Sequence, residues 1–210
     1  MSFQRARTEA QVASRQNEIL NACAQLYEQG GAEGVTVKAI AARTSFSRPT
    51  IYNYYATKEE ILLDLLRREC AEYTAEMERD LRAGGARSRE RFCRLLTDGL
   101  TRHERMLRMM SVNLNAIENN VAEERLVAFK RGMNEWFRVL AEGLERFFPD
   151  SDARERELFL HDHFCYVYGL YPVTHPSARQ VAAMEKAGFR QPECFERLCY
   201  EGLLRLTGRL

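Results

Sequence analysis

The sequence predicts an all-α fold from three observations. Apolar residues recur at three- and four-residue spacing along most of the chain. The strict alternation of a half-buried strand is absent. Glycines and prolines punctuate the periodic segments, and no repeat of about 20–50 residues or low-complexity tract interrupts them.

Ile19, Ala22, Cys23, Leu26 and Tyr27 form the apolar face of a first helix, which Gly30-Gly31 is expected to end. A short helix over 36–43 follows, with Thr36 as its N-cap and Val37, Ile40 and Ala41 on one side. The segment "SFSRPTIYNYY", residues 45–55, comes next. It reads as a short helix over 47–53, with Ser47 as N-cap and Pro49 in the first turn, where a missing N–H is tolerated. Thr57-Lys58-Glu59-Glu60 has the form of a capping box and opens a longer helix carrying Ile61, Leu62, Leu65 and Leu66. Gly84-Gly85 is expected to break that helix.

Further helices are expected over 88–102, 104–118 and 123–148. The last carries Leu126, Phe129, Met133, Trp136, Phe137, Leu140, Leu144 and Phe147 at helical spacing and stops at Pro149. Another fits between Pro149 and Pro172, over 152–171. A short helix over 177–187 and a final one over 192–208 complete the chain.

Composition narrows the function classes. Lys and Arg number 31 against 30 Asp and Glu in 210 residues, so a nucleic-acid or membrane surface has to arise from a local patch. Met1–Ser14 lacks the apolar run of a signal peptide, and no apolar window approaches the roughly 20 residues that span a bilayer. The six cysteines form no CxxC pair and several lie on apolar stripes, as reduced buried thiols do. The chain therefore reads as cytoplasmic, without a disulfide framework or a membrane partner.

The local patch is in the opening third. From Gly34 to Lys58 there is no acidic residue, whereas Lys38, Arg43, Arg48 and Lys58 are basic. Two short helices joined by a turn, basic and free of acids, make a helix-turn-helix suited to the phosphates of double-stranded DNA. The N–H groups at the start of the second helix also favour a phosphate.

"VTVKAIAARTSFSRPTIYNYYATKEEILL", Val35 to Leu63, resembles the N-terminal domain of the tetracycline-repressor (TetR) family of bacterial transcription regulators. The likeness rests on the apolar-Thr-apolar entry, the Ile-Ala pair of the second helix and the Ser-basic-x-Thr-apolar-Tyr core of the third. An aromatic at Tyr55 and Lys-Glu at the start of the fourth helix extend it. Beyond this third of the chain the similarity is one of architecture: all helices, about the usual length. The family usually has glycine in the turn; here Ser45 stands there, followed by Phe46. Either Ser45 adopts positive φ at some strain, or the turn takes another form.

The resemblance implies a helix-turn-helix domain over 1–56 and a helical ligand-binding and dimerisation domain over 57–210. It implies a homodimeric regulator, a repressor released from a palindromic operator by an unknown small-molecule effector. Arg48 is expected to read a base, a guanine offering it a bidentate contact, and Pro49 to meet a thymine methyl. Asn53 and Tyr54 are expected at a base edge or phosphate. Thr50, Tyr52, Thr36 and Lys58 match positions that grip phosphate, Ser47 is left to face DNA, and Lys38 and Arg43 are further surface cations. Arg5 and Arg7 suggest an arm along the minor groove. Ile51 and Tyr55 read as core.

A two-fold dimer needs a pairing surface. Phe195, Leu198, Cys199, Gly202, Leu203 and Leu206 form a stripe on the last helix, and Cys165 and Tyr171 lie on the broadly apolar helix over 152–171. These are expected to build a four-helix interface, Gly202 allowing close approach. Candidates for lining a ligand pocket are Met106, Met109, Met110, Leu114, Trp136, Phe137, Phe164 and Tyr168; each is equally at home in a packed core.

The alternative is a helical enzyme or metal protein using His161, His163 and Cys165 of "HDHFC". His161 and Cys165 share a helix face, but His163 points about 160° away, and two ligands do not close a zinc site. No nucleophile–base set, GxSxG elbow or phosphate loop is present. No cofactor, no metal and no catalysis are expected. Cys93, Cys165 and Cys199 are redox candidates only where exposed.

Overall fold

A computed structural model describes residues 9–190 and 193–210. Arg5 and Arg7 lie outside the described residues. Among those residues every regular element is helical. Helix α1 spans Glu9–Gly34, α2 Val37–Ala41, α3 Arg48–Tyr52, α4 Lys58–Arg82, α5 Arg89–Arg102 and α6 Glu104–Arg108. A π-helical segment, Met109–Asn113, leads into α7, Leu114–Glu118. Then come α8 Glu123–Phe147, α9 Ala153–Thr174, α10 Ala178–Lys186 and α11 Phe195–Leu206, with a 3-10 turn over Thr207–Arg209. No helix among the described residues is long and apolar enough to cross a membrane.

The chain forms two compact units. The first comprises the residues up to Arg68 with Asn113–Phe129, the second Glu69–Val112 with Lys130–Leu210.

In the first unit, Ile19, Cys23, Tyr27, Val35, Ile40, Ile51, Tyr55 and Leu65 are all buried. Gly30-Gly31 kinks α1 instead of ending it. Gly31 sits at φ 60, which a side chain resists, and the chain re-enters helix as far as Gly34. Thr36 caps α2 through its hydroxyl, which accepts the Ala39 N–H at 3.0 Å. At α4, Thr57 accepts the Glu60 N–H (3.2 Å), while the Glu60 carboxylate accepts from Ala56 N–H (2.7 Å). The reciprocal cap is present, but reaches one residue further back than the capping-box pattern. Tyr27 donates its hydroxyl to the Asn113 side-chain oxygen at 2.5 Å.

In the second unit α11 packs on α5 and α9. Phe92 sits among Phe147, Phe148 and Phe159, with ring centroids 5.2–6.0 Å apart. Two elements depart from the sequence reading. The helix expected over 104–118 is divided by the π segment. Helix α9 continues through Pro172 to Thr174. Pro172 is exposed and lies within the last turn, so its missing N–H removes one bond where Thr174 and His175 still close the end onto Leu170 and Tyr171.

Candidate nucleic-acid interface and cavity

Helix α3 is short, and its position depends on anchors outside itself. Ile51 and Tyr55 are buried, as the sequence predicts, and fix one face. Phe46 fills the turn before it, with the Arg15 guanidinium 5.7 Å from its ring centre. No described non-glycine residue has positive φ, so Ser45 adopts an ordinary backbone and the turn takes a form that needs no glycine. Its N–H is held by the Glu18 carboxylate at 2.6 Å.

The outward face carries Ser47, Arg48, Pro49, Tyr52 and Asn53, all exposed; Tyr52 is 54% exposed. Ser47 occupies the N-cap position but makes no capping bond; its hydroxyl lies 3.0 Å from that of Thr50. Pro49 stands in the first turn. Asn53 forms the C-cap. Tyr54 is half-buried, its hydroxyl accepting from Arg15 at 3.5 Å. Thr36, Lys38 and Arg43 are exposed on and beside α2, Arg43 donating to Gln29 at 2.7 Å. Lys58 is half-buried and donates to the Ala32 carbonyl at 3.4 Å.

Arg125, at the start of α8, is a feature that sequence reading missed. Its guanidinium donates to the Tyr54 carbonyl (2.7 Å), pairs with Glu60 (3.2 Å) and Asp64 (3.4 Å), and lies 5.0 Å from the Tyr55 ring centre. Tyr55 in turn donates to Asp64 at 3.1 Å, and burial is the main cause holding its phenol protonated well above the ordinary range. Arg125 thus ties the end of the recognition segment to α4. Some 70 positions separate it from α3, so no local spacing signals it.

The second unit contains a small, partly open cavity, about 10 Å³, lined by Leu107, Met110, Ser111, Trp136, His163, Phe164, Val167 and Tyr168. Four predicted pocket residues, Met110, Trp136, Phe164 and Tyr168, meet there. Met106 and Met109 are buried but off its walls, and Phe137 stacks outside it against Trp136 and Phe164. Leu114 belongs to the first unit. An open cleft of about 370 Å³ beside Glu78, Leu81, Arg82 and Glu142 is crossed by the Arg82–Glu142 ion pair. The smaller cavity has mainly apolar walls with few polar groups, the kind of lining that small-molecule sites use.

"HDHFC" does not gather into one site. His161 and Cys165 are exposed, 3.9 Å apart, while His163 is buried on the other side of α9 and stacks on Phe159 at 5.6 Å. The trio written as an enzyme or metal centre is therefore split by the helix. No group of three His, Cys, Asp or Glu residues is placed to hold a metal among the described residues. Cys93 and Cys199 are buried, and burial raises both thiols, Cys199 to about 12; only Cys165 of the three redox candidates is exposed.

The stripe on α11 also needs correction. Phe195, Cys199, Gly202, Leu203 and Tyr171 are buried within the single chain, and Leu198 and Leu206 are half-buried. Gly202 makes room for Tyr166 of the same chain: a methyl added there would come 2.1 Å from the Tyr166 hydroxyl, which donates to Leu198 O at 2.6 Å. The apolar stripe is intrachain packing surface. Cys165 alone of the predicted set is exposed, on an α9 face shared with Leu158 (42% exposed), Gly169 and Val173 (59%).

Residues 19–65 match the family model described as bacterial regulatory proteins, tetR family, and residues 67–195 match that of the tetracyclin repressor-like C-terminal domain. The HTH-type transcriptional repressor KstR of Mycolicibacterium smegmatis is 35% identical over 71 residues, 34% of this chain and 35% of that protein's length. The fold is similar to a TetR/AcrR-family regulator from Thermobifida fusca (TM-score 0.63, 16% identity, 94% of this chain and 99% of the other). It is also similar to Bacillus subtilis FadR in complex with stearoyl-CoA (0.62, 14%, 92% and 98%). RolR in complex with resorcinol is a third such structure (0.61, 15%, 95% and 90%).

Proposed function

The chain belongs to the TetR family of bacterial regulatory proteins, and from that premise we propose that it is a homodimeric repressor released from a palindromic operator by a small molecule. The observation that carries this is the acid-free run from Gly34 to Lys58, with exposed Lys38, Arg43 and Arg48 around a short helix anchored from behind. Burying a core requires none of those cations; meeting phosphates does.

In this reading residues 1–56 are the DNA-binding part and 57–210 the part that senses ligand and pairs. Arg48 reads a base, with Pro49 and Asn53 beside it in the major groove. Ser47, Thr50, Tyr52, Tyr54, Thr36 and Lys58 hold phosphates and set register. KstR, described as a repressor, supports that sense of regulation. The FadR and RolR complexes support small-molecule control. Pairing uses the exposed face of α9 around Leu158, Cys165, Gly169 and Val173, since the α11 stripe is already covered. Two-fold symmetry then presents recognition helices to half-sites about 34 Å apart or a multiple of that. The ligand acts only through different affinities for the DNA-competent and released states.

The test is binding of the full-length protein to DNA flanking its own gene, against scrambled DNA, over a salt series. Tight binding that requires a near-palindrome and weakens steeply with salt is the expected result. Weak binding indifferent to sequence would sink the proposal.

A further inference from the structure

We propose that the cavity of the second unit takes a small uncharged aromatic alcohol, a phenol, whose hydroxyl is held between His163 and Ser111. This rests on the reading of the cavity as the effector site and names the chemical class that fits it.

His163 is 2% exposed, and neither ring nitrogen has a hydrogen-bond partner in the protein. The Ser111 hydroxyl oxygen is likewise buried and unpartnered. Both residues line the same cavity. Buried polar groups are as a rule hydrogen-bonded, because leaving them unmade costs their lost hydration. Two such groups on residues that line one apolar cavity mark a place for a polar substituent. A neutral imidazole offers one acceptor and one donor, and a hydroxyl can do both. A ligand O–H can therefore donate to the imidazole acceptor and accept from Ser111.

The remaining walls select the rest of the molecule. Trp136, Phe164 and Tyr168 supply ring faces and edges, with Trp136 and Phe164 centroids 6.3 Å apart at 62° and Phe164 and Tyr168 5.7 Å apart at 29°. Met110, Leu107 and Val167 complete an apolar lining. A planar ring inserts among such groups by offset and edge-to-face contacts and by sulfur–aromatic contact. No charged side chain lines the cavity, so a carboxylate or ammonium would lose its hydration without a compensating partner. Burial alone keeps His163 neutral, its pKa held down to about 4.

As it stands, the space suits about one water molecule. Admission of a ring requires Phe164 and Tyr168, both half-buried, to swing aside. Ser111 and Met110 belong to the π segment, a local departure from α geometry of the kind that recurs at functional sites.

Trp136 is the chain's single tryptophan and lines the cavity, so its fluorescence reports binding directly. Full-length protein is titrated with phenol, toluene and benzoate. The expected result is a saturable phenol response at least about tenfold tighter than that of toluene, with no benzoate response. His163→Phe should lose about tenfold for phenol while binding toluene at least as well as wild type. Ser111→Ala, which removes one atom, should weaken phenol without altering the fold, and decides the matter if His163→Phe misfolds. Absence of a saturable phenol response, toluene binding as tightly as phenol, or phenol affinity unchanged in the folded variants would overturn the proposal. Operator binding without ligand is measured in parallel. Specific operator binding with no phenol response removes only the ligand class, whereas absent operator binding removes the regulator reading whatever Trp136 reports.

Discussion

The recognition helix and the cavity treat polar side chains in opposite ways. Around α3, Arg48, Tyr52 and Asn53 stand in solvent, while the backbone and the inner face are tied down by Glu18, Arg125 and the buried Ile51 and Tyr55. In the cavity, the His163 ring nitrogens and the Ser111 hydroxyl oxygen are buried and have no protein partner. Water satisfies an exposed donor until a ligand displaces it, so the α3 surface exists at little cost to stability. A buried donor depends instead on the single molecule, water or ligand, that enters the cavity beside it. One region meets bulk water whether or not its ligand is present; the other depends on which molecule its cavity admits.

The largest test of that contrast is Arg125→Ala. Glu60 is 5% exposed and would lose its guanidinium partner, as would Asp64 and the Tyr54 carbonyl. Arg125 is itself half-buried, so leaving Glu60 without it costs about 2 kcal/mol, read as a lower denaturation midpoint with an unchanged slope. DNA affinity should fall with it, because α3 loses its anchor.

A pH series tests the cavity. His163 has a folded pKa of about 4 against the ordinary 6.5. Between those values the unfolded chain binds a proton that the folded chain refuses, so stability falls as pH drops through that window and levels off below it. The full difference is about 3 kcal/mol at most. Since other groups titrate there too, the measurement is wild type minus His163→Phe. Identical pH profiles for the two proteins would show that His163 is not buried neutral.

Arg48→Ala and Lys58→Ala divide the outer surface. The first should cost about 2 kcal/mol of operator binding and relax specificity at one position in each half-site, with the denaturation midpoint unmoved. The second should weaken operator and scrambled DNA alike and lower the salt slope by about 1. Loss of stability in Arg48→Ala would break the contrast, since it would make the exposed guanidinium a structural group. The smallest effect is expected of Ser45→Gly. With no positive φ to relieve, glycine adds only unfolded-state freedom and should destabilise by about 0.5 kcal/mol. A gain in stability would mean that the turn is strained at Ser45.

Several features were legible because local chemistry decides them. The 3.6-residue period places Ile51 and Tyr55 inward and Asn53 outward, and the caps of Thr36 and Thr57 appear where short polar side chains precede apolar periods. Others depend on distant partners. The π turn at Met109–Asn113 leaves no mark on the periodicity that predicts one continuous helix, and Pro172 is tolerated in α9 because it falls in an exposed final turn. Nothing near α3 in the chain announces Arg125.

By itself the sequence determined the helical class, the faces of each helix and the basic, acid-free segment, because each follows from residues within a turn or two of one another. Only the tertiary structure decided what covers each face. The stripe of Phe195, Cys199, Gly202 and Leu203 would look the same beneath a second copy as beneath α5 and α9, and it lies beneath α5 and α9. By spacing His163 is only set apart from His161 and Cys165; the structure shows it as an imidazole without a protein partner in an aromatic cavity. Periodicity fixes direction about one helix axis, whereas burial and hydrogen bonding depend on which other segment arrives, and that is settled by packing the whole chain.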